Sequence, residues 1–269
     1  MEYPVNIILD WMTQFLWPMT RISSMMMTVT FFGAKFVPVR VRLYLSLAIT
    51  FAVMPSISSV RDEVELVSLG GFLVLAQQIL IGVAMGTVTQ FIIQTFILLG
   101  QIIGMQSSLG FASMVDPVNG QNTPLLGQLF MFVAIMIFLS TDGHLQMLNL
   151  VVMSFQTLPI GESLESTDFH ALVNCFGIMF SVGIGMALAG IIALLTVNLS
   201  FGIMTRVAPQ LNILSIGFSF ALLVGLLSCW YMLSGIVLHY LKHWDTGLNV
   251  ICDLIRLDCA NGRGTNDGK

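Results

Sequence analysis

Charged residues are missing from long stretches of this chain, and this absence constrains the fold more than any motif does. No Asp, Glu, Lys or Arg occurs in residues 66–115, 117–141, 169–205 or 207–241. Uncharged apolar runs longer than about 18 residues are typical of membrane-spanning helices, because a helix pairs its own backbone groups where lipid offers no partner. The sequence therefore predicts an all-α, polytopic integral membrane protein.

Composition supports this class and excludes a nucleic-acid-binding surface. Charged residues make up 9% of the chain and hydrophobic residues 56%, whereas soluble domains carry about 25% charged residues. The net charge of −4 is small and scattered. A length of 269 residues suits one helical membrane domain over residues 1–260. The polar, glycine-containing stretch 261–269 is predicted to be a disordered tail.

The apolar segments predict about six long helical spans. The third is too long for one crossing, because forty residues of helix would extend about 60 Å across a hydrocarbon core of about 30 Å. It therefore either folds back on itself or leaves the bilayer and packs on other protein. The six segments are residues 11–32, 43–60, 66–105, 124–154, 171–199 and 211–240.

The charges of the connecting loops predict an orientation in the membrane. The loop at 33–42 is basic, and the loop at 200–209 contains Arg206 as its single charge. The loops at 61–65 and 161–170 are acidic. The positive-inside rule places the basic loops in the cytoplasm and the acidic ones outside, so that six spans would leave both termini outside. The basic residues of the tail region weigh against this orientation, and they are Lys242, Arg256, Arg263 and Lys269.

The four cysteines form no metal-binding pattern. No CxxC motif occurs, and no histidine cluster accompanies the cysteines, so no metal or cofactor is predicted. Cys175 and Cys229 are interpreted as buried small hydrophobic residues. Cys252 and Cys259 could form a disulfide only in an oxidising compartment, and the sequence leaves this open.

Motifs that specify catalysis do not occur, and the chain is predicted not to be an enzyme. HExxH, GxSxG and GxxxxGK[ST] are all missing, as are paired carboxylates at catalytic spacing. Asp142, Gly143 and His144 could suggest acid–base chemistry, but a turn with satisfied polar groups explains them better. No catalytic residue is assigned.

One predicted helix carries a polar face. The side chains on it fall within about 40° of one another at 100° per residue. An amide needs hydrogen-bond partners in an apolar place, so this face either packs on another helix or forms the wall of a conduit. Its members are Gln90, Gln94, Gln101 and Ser108.

A second helix carries small residues at every fourth position. Such a ladder lets another helix approach closely, and the sequence does not say whether that helix belongs to the same chain. The ladder consists of Gly177, Ser181, Gly185 and Ala189.

Arg21 lies ten residues inside the first apolar segment. A charged side chain at bilayer depth costs several kcal/mol, so contact with protein is the favoured interpretation. Snorkelling to a headgroup and a role in transport are the alternatives.

The stretch 105–128 cannot form a continuous helix. It contains Gly110, the Asp116–Pro117 pair and an Asn–Gly pair, which are typical of turns. An irregular segment between apolar helices must be buried in protein or line a cavity. The segment is therefore either an ordinary loop or a re-entrant, plugging element.

Short sequence pieces along the chain resemble the FliR family of flagellar type III export-gate proteins and its counterparts in virulence secretion. The block at 206–212 is the most specific of them, and it contains Arg206, Pro209, Gln210 and Asn212. The other pieces are Arg21 and residues 32–33, 37–42, 77–82, 110–112, 115–117, 143–144, 154–155, 158–161 and 216–218.

This resemblance implies a function that composition does not. In that family a single copy joins several copies of FliP and FliQ, with FlhB and FlhA, in the inner membrane at the flagellar basal body. Unfolded flagellar proteins pass through the assembly, part of which stands on the periplasmic side. The resemblance also implies a FliP-like part at about 1–200 joined to a FliQ-like helical hairpin at about 201–260.

The resemblance further implies that residues 106–122 form a plug at the pore. The residues assigned to this gate are Gln106, Phe111, Met114, Asp116 and Pro117.

Other function classes find less support in the sequence. A secondary transporter or solute channel would carry intramembrane carboxylates or broken helices in two repeated halves. A lipid-modifying enzyme would need a charged or nucleophilic cluster at a membrane face. A scaffold without a conduit differs from a gate only in where the polar face at 90–108 points.

Overall fold

Most of the described part of the chain is α-helical. A computed structural model describes residues 3–34, 37–57, 68–107, 109, 113–115, 122–162, 166–207, 213–257 and 259. The helices are α1 (Tyr3–Thr28), α2 (Val39–Val53), α3 (Leu69–Gln106), α4 (Leu125–Ser140), α5 (Gly143–Thr157), α6 (Ser166–Val207) and α7 (Ile213–Leu254). A 3-10 turn follows α2, and two three-residue strands precede α4. The predicted all-α class is confirmed, while the tail at 261–269 lies outside the described residues.

The overlong third segment is one continuous helix. α3 runs for 38 residues, or about 57 Å at 1.5 Å per residue, without folding back. Half of the most apolar 18-residue stretch of α3 is buried inside the protein. The fold-back is therefore wrong. The burial agrees with packing on protein, and departure of α3 from the bilayer stays a prediction.

The fourth segment is broken at Asp142. α4 and α5 meet there at an angle of 64°. Asp142 adopts a left-handed conformation with φ of 55°, and its carbonyl accepts the first backbone hydrogen bonds of α5, from Leu145 and Gln146. The predicted turn is confirmed at Asp142, whereas Gly143 and His144 already belong to α5.

The predicted count of six spans is not confirmed. Within the described residues, three helices are long and apolar enough to cross a membrane: Leu69–Gln106, His170–Val207 and Ile216–Leu254. The bent pair α4–α5 would make a fourth if it forms one span. α2 falls short because its 15 residues extend only about 22 Å. α1 contains the buried charge of Arg21.

One compact unit comprises residues 1–90, 142–175 and 245–269. α1 packs on α2 and, through its Met25 side, on α3. Gly82 and Gly86 allow this approach: a Cβ at Gly82 would overlap the Arg21 carbonyl, and one at Gly86 would lie 2.9 Å from the Met25 carbonyl oxygen. The pairing of α1 with α3 therefore requires glycine at these positions.

The other compact unit comprises residues 91–141 and 176–244. Here α6 and α7 form an antiparallel hairpin, with Gly190 beside Met232 and, further along, Phe201 beside Gly217. The boundary predicted near residue 200 lies inside α6. An aromatic cluster joins three helices of this unit and consists of Phe96, Phe138, Tyr240 and Trp244.

Two of the four cysteines have free thiols, and the other two form a disulfide. Cys175 and Cys229 are buried and carry free thiols, which confirms their interpretation as small core residues. Cys252 and Cys259, whose pairing the sequence left open, are joined by a disulfide with a Cα–Cα distance of 6.0 Å.

Candidate functional site

Arg21 is a fully buried cation with four hydrogen bonds. Its Nε donates to Gln78 Oε1 at 2.7 Å. One terminal nitrogen donates to the Ser154 carbonyl at 2.9 Å and to Ser154 Oγ at 3.1 Å. The other donates to the Leu158 carbonyl at 3.0 Å. Arg21 therefore joins α1, α3 and the end of α5, and the predicted contact with protein is confirmed.

The charge of Arg21 is balanced by dipoles, since all four acceptors are neutral. The carbonyls of Ser154 and Leu158 lie at the C-terminal end of α5, which carries the negative pole of the helix dipole. The guanidinium carbon also lies 4.4 Å from the centre of the Phe155 ring, a cation–π distance. Burial lowers the pKa of Arg21 to about 9, so the guanidinium stays protonated at neutral pH.

The partners of Arg21 were not predicted, although a signal for them existed. They lie 57, 133 and 137 positions away along the chain, so no local pattern joins them. Gln78, Ser154 and Leu158 nevertheless all fall inside the sequence pieces that carry the family resemblance. The pieces that contain Arg21, Gln78, Ser154 and Leu158 therefore meet at one buried contact in the folded chain.

The candidate gate segment begins where α3 ends. Gln106 is the last residue of α3, and its buried Oε1 has no hydrogen-bond partner among the described residues. Met114 lies in strand β1 (Ser113–Val115), which pairs antiparallel with β2 (Asn122–Pro124). The prediction that no helix continues through this stretch is confirmed. Phe111, Asp116 and Pro117 lie outside the described residues.

Close helix contacts hold both ends of this segment. A Cβ at Gly100 of α3 would lie 2.8 Å from the Gly127 backbone of α4, and one at Gly104 would lie 3.3 Å from Pro124. On the other side, Ser107 fills the place that a Cβ at Gly225 of α7 would take. The two ends of the segment are therefore anchored at neighbouring, tightly packed points of the helical unit.

The described side chains on the polar face of α3 are partly buried. Gln90, Gln94 and Gln101 are all half-buried, whereas Ser108 lies outside the described residues. A half-buried amide suits either contact with a neighbouring subunit or the wall of an aqueous conduit. The conduit role of this face stays a prediction.

The small-residue ladder of α6 is exposed. A Cβ at Gly177 or Gly185 would meet nothing within 4 Å among the described residues, and Ser181 and Ala189 are also exposed. Large apolar side chains flank the ladder on the same exposed surface. They are Phe176, Phe180, Ile184 and Leu188.

Other glycines of α6 make the contacts inside the chain. A Cβ at Gly183 would lie 3.0 Å from Leu98 and 3.3 Å from the Thr95 carbonyl of α3. One at Gly190 would lie 3.0 Å from Met232 of α7. The two sets of small residues therefore lie on different sides of one helix, and only the set that includes Gly183 and Gly190 is covered.

The block that carries the strongest resemblance lies between α6 and α7. Arg206 is exposed on the last turn of α6. Pro209, Gln210 and Asn212 lie outside the described residues. Among the described residues, no group of three or more His, Cys, Asp or Glu side chains is placed to hold a metal ion.

Comparison with known proteins identifies the family. The model of the family described as bacterial export proteins, family 1, matches residues 12–247. The chain belongs to this family. Among similar proteins, the flagellar biosynthetic protein FliR of Escherichia coli K12 is 37% identical over 249 residues, which cover 92% of this chain and 94% of that protein.

Other members of the family, one of them more distant, align over similar lengths. FliR of Pectobacterium carotovorum is 37% identical over 227 residues, covering 84% of this chain and 86% of that protein. FliR of Bacillus subtilis is 26% identical over 218 residues, covering 79% and 83%. The resemblance to the FliR family is therefore confirmed.

Family membership makes the chain an apolar-helical membrane component of the bacterial flagellar export apparatus. The alternative of a secondary transporter or solute channel finds no support in these matches.

Proposed function

We propose that the chain is the single-copy, non-enzymatic subunit of a flagellar type III export gate. In this proposal it assembles with several copies of FliP and FliQ, and with FlhB and FlhA, in the inner membrane at the basal body. Part of the assembly stands on the periplasmic side, and unfolded flagellar proteins pass through it. Support comes from the family match over residues 12–247 and from the exposed apolar faces of α6 and α7.

The exposed ladder of α6 is the observation that carries this proposal. Small residues at every fourth position let a second helix approach closely, and lipid tails do not need such an approach. Within the described residues, no helix of this chain covers Gly177 or Gly185. The ladder therefore suits a helix from another subunit, as in a closed helical assembly.

Native mass spectrometry tests the assembly. The affinity-tagged chain is co-expressed with its genomic neighbours and extracted in mild detergent. The expected species contains one copy of this chain and several copies of two smaller membrane proteins. A stable monomer or homodimer, with those neighbours present and unbound, would contradict the proposal.

A matched pair of variants tests the ladder itself. Gly185→Leu fills the ladder without an internal clash, so the chain should fold and lose its neighbours. Gly202→Leu is the control, because a Cβ at Gly202 also meets nothing within 4 Å among the described residues. Gly202 lies about 20 Å beyond Ala189 on the same helix. Equal assembly of both variants would remove the ladder from the interface.

We also propose that residues 106–122 plug the pore and that the polar face of α3 lines the path. The antiparallel pairing of Ser113–Val115 with Asn122–Pro124 supports this proposal, because it brings together the two ends of the stretch between them. A photo-crosslinker at Gln94 or Gln101 is expected to reach exported substrate. Crosslinks to neighbouring subunits alone would favour a scaffold role.

The two-part architecture is a further element of the proposal. A FliP-like part at about 1–200 and a FliQ-like hairpin at about 201–260 would share α6, which crosses their boundary. The antiparallel arrangement of α6 and α7 supports a helical hairpin, and its first arm begins at Ser166, inside the part assigned to residues 1–200.

A further inference from the structure

The end of α7 turns back on itself in a specific hydrogen-bonded cap. The Leu257 N–H donates to the Cys252 carbonyl at 2.8 Å, and the Arg256 N–H donates to the Asp253 carbonyl at 3.1 Å. Arg256 has a left-handed φ of 57°. These features define a Schellman motif, which reverses the chain at a helix end. The reversal returns Cys259 to the last turns of the helix.

Arg256 is an unfavourable residue for the left-handed position of this cap. Glycine usually occupies the left-handed position, because other residues meet a steric penalty there. Arg256 carries that penalty, which a covalent constraint across the turn would offset. The disulfide between Cys252 and Cys259 supplies it, since it spans the turn and ties the returning chain to the helix.

We propose that the Cys252–Cys259 disulfide forms in the cell on the outer, oxidising face of the cytoplasmic membrane and clasps the end of α7 there. Disulfides persist in such compartments and are reduced in the cytosol. The disulfide itself is what assigns this side, because the count of basic residues does not: the α6–α7 loop carries only Arg206, whereas the end of α7 and the tail carry Lys242, Arg256, Arg263 and Lys269. α7 has 42 residues, about 63 Å, so its two ends reach opposite faces of a core of about 30 Å.

The bond forms by thiol–disulfide exchange with an oxidised dithiol oxidoreductase of that compartment. Cys259 is half-buried and Cys252 is 3% exposed, so the donor disulfide first meets the Cys259 sulfur. The Cys259 thiolate attacks the donor and forms a mixed disulfide, which releases one donor thiol. The Cys252 thiolate then displaces the second donor sulfur. Two thiols of this chain are oxidised, and the donor leaves as a dithiol with both protons.

A gel-shift assay tests whether the bond exists in cells. The full chain carries Cys175→Ala and Cys229→Ala, which leaves two cysteines, and is expressed from its own locus. Cells are quenched with acid, denatured and treated with maleimide–polyethylene glycol before and after reduction. No adduct before reduction and two adducts afterwards are expected. Two adducts without reduction would overturn the proposal.

A reporter after Lys269 tests the side of the membrane. Alkaline phosphatase becomes active only where its own disulfides form, so high activity is expected. A fluorescent protein that matures only in the cytoplasm should stay dark at the same position. The opposite pattern would overturn the proposal and leave the export function untouched.

A melting experiment tests the clasp. A reductant should lower the apparent melting temperature of the purified full-length chain by about 5 °C, as expected for a short disulfide loop. The control variant Cys252→Ser/Cys259→Ser should not respond to the reductant. An equal response of both proteins would show that the disulfide does not hold the end of α7.

Discussion

Replacing Arg21 with methionine is expected to destabilise the protein by about 3 kcal/mol. Methionine keeps most of the aliphatic length but donates no hydrogen bond, so Gln78 Oε1 and the Leu158 carbonyl lose their partner. An unpaired buried acceptor costs about 1–3 kcal/mol. Loss of the Phe155 contact adds about 1 kcal/mol, and relief of the buried charge offsets part of the sum.

The assay is thermal unfolding of the purified chain in one detergent. For a chain of this size, each kcal/mol shifts the melting temperature by about 2–4 °C, so a fall of about 6–12 °C is expected. Arg40→Met is the matched control, because Arg40 is exposed and its loss should change stability by less than about 0.5 kcal/mol.

A double variant separates this explanation from a general loss of packing. In Arg21→Met/Gln78→Leu an apolar side chain replaces the Gln78 amide, so no unpaired amide is left in the core. In the unsubstituted chain, Gln78 Nε2 already has no hydrogen-bond partner among the described residues. The double variant should regain about 1–2 kcal/mol relative to Arg21→Met alone. A melting temperature of Arg21→Met within about 2 °C of Arg40→Met would refute the reasoning, because surface substitutions typically fall in that range.

Three further predictions concern other contacts. Gly82→Ala should lower the melting temperature because its Cβ overlaps the α1 backbone, whereas Gly202→Ala should raise stability by up to about 1 kcal/mol through helix propensity. Equal effects in a melting assay would contradict the close approach. Thr95→Val should cost about 1–3 kcal/mol in the same assay, because it leaves His243 Nε2, now 3.1 Å from the Thr95 hydroxyl, without that partner. Shortening residues 106–122 should let ions leak through the closed gate in cells that express all gate subunits, and unchanged ion permeability would count against the plug.

Local sequence predicted the helices well because their cause is local. A charge-free apolar run forms a helix wherever water is excluded, and all six predicted segments contain helix. The turn at Asp142 and the break after Gln106 were also predictable, since polar and glycine-rich stretches disfavour helix at those points. The number of spans was not predictable in this way, because it depends on helix length and on whether a charge such as Arg21 finds partners.

The candidate site was predicted in part. Gln106 and Met114 lie at the end of α3 and in β1, as a broken segment requires, while the gating role of both residues stays a prediction. The sequence pieces that contain Gln78 and Ser154 were recognised because they resemble the family. Their role as hydrogen-bond partners of Arg21 was not predicted. Only the folded chain brings them to Arg21, because hydrogen bonds across more than fifty positions leave no periodic trace.

The sequence by itself determined the class of protein, because exclusion of charge from long runs is a property of composition and order alone. The tertiary structure decided which small residues of α6 pack against other helices of the chain. Gly177 and Gly183 belong to the same helix and look alike locally, yet Gly183 meets α3 and Gly177 meets nothing within 4 Å among the described residues. Tertiary structure likewise closed the Cys252–Cys259 pair through the turn at Arg256. Burial of a helix face depends on the neighbouring helices, and their positions are set by contacts between residues distant in the chain.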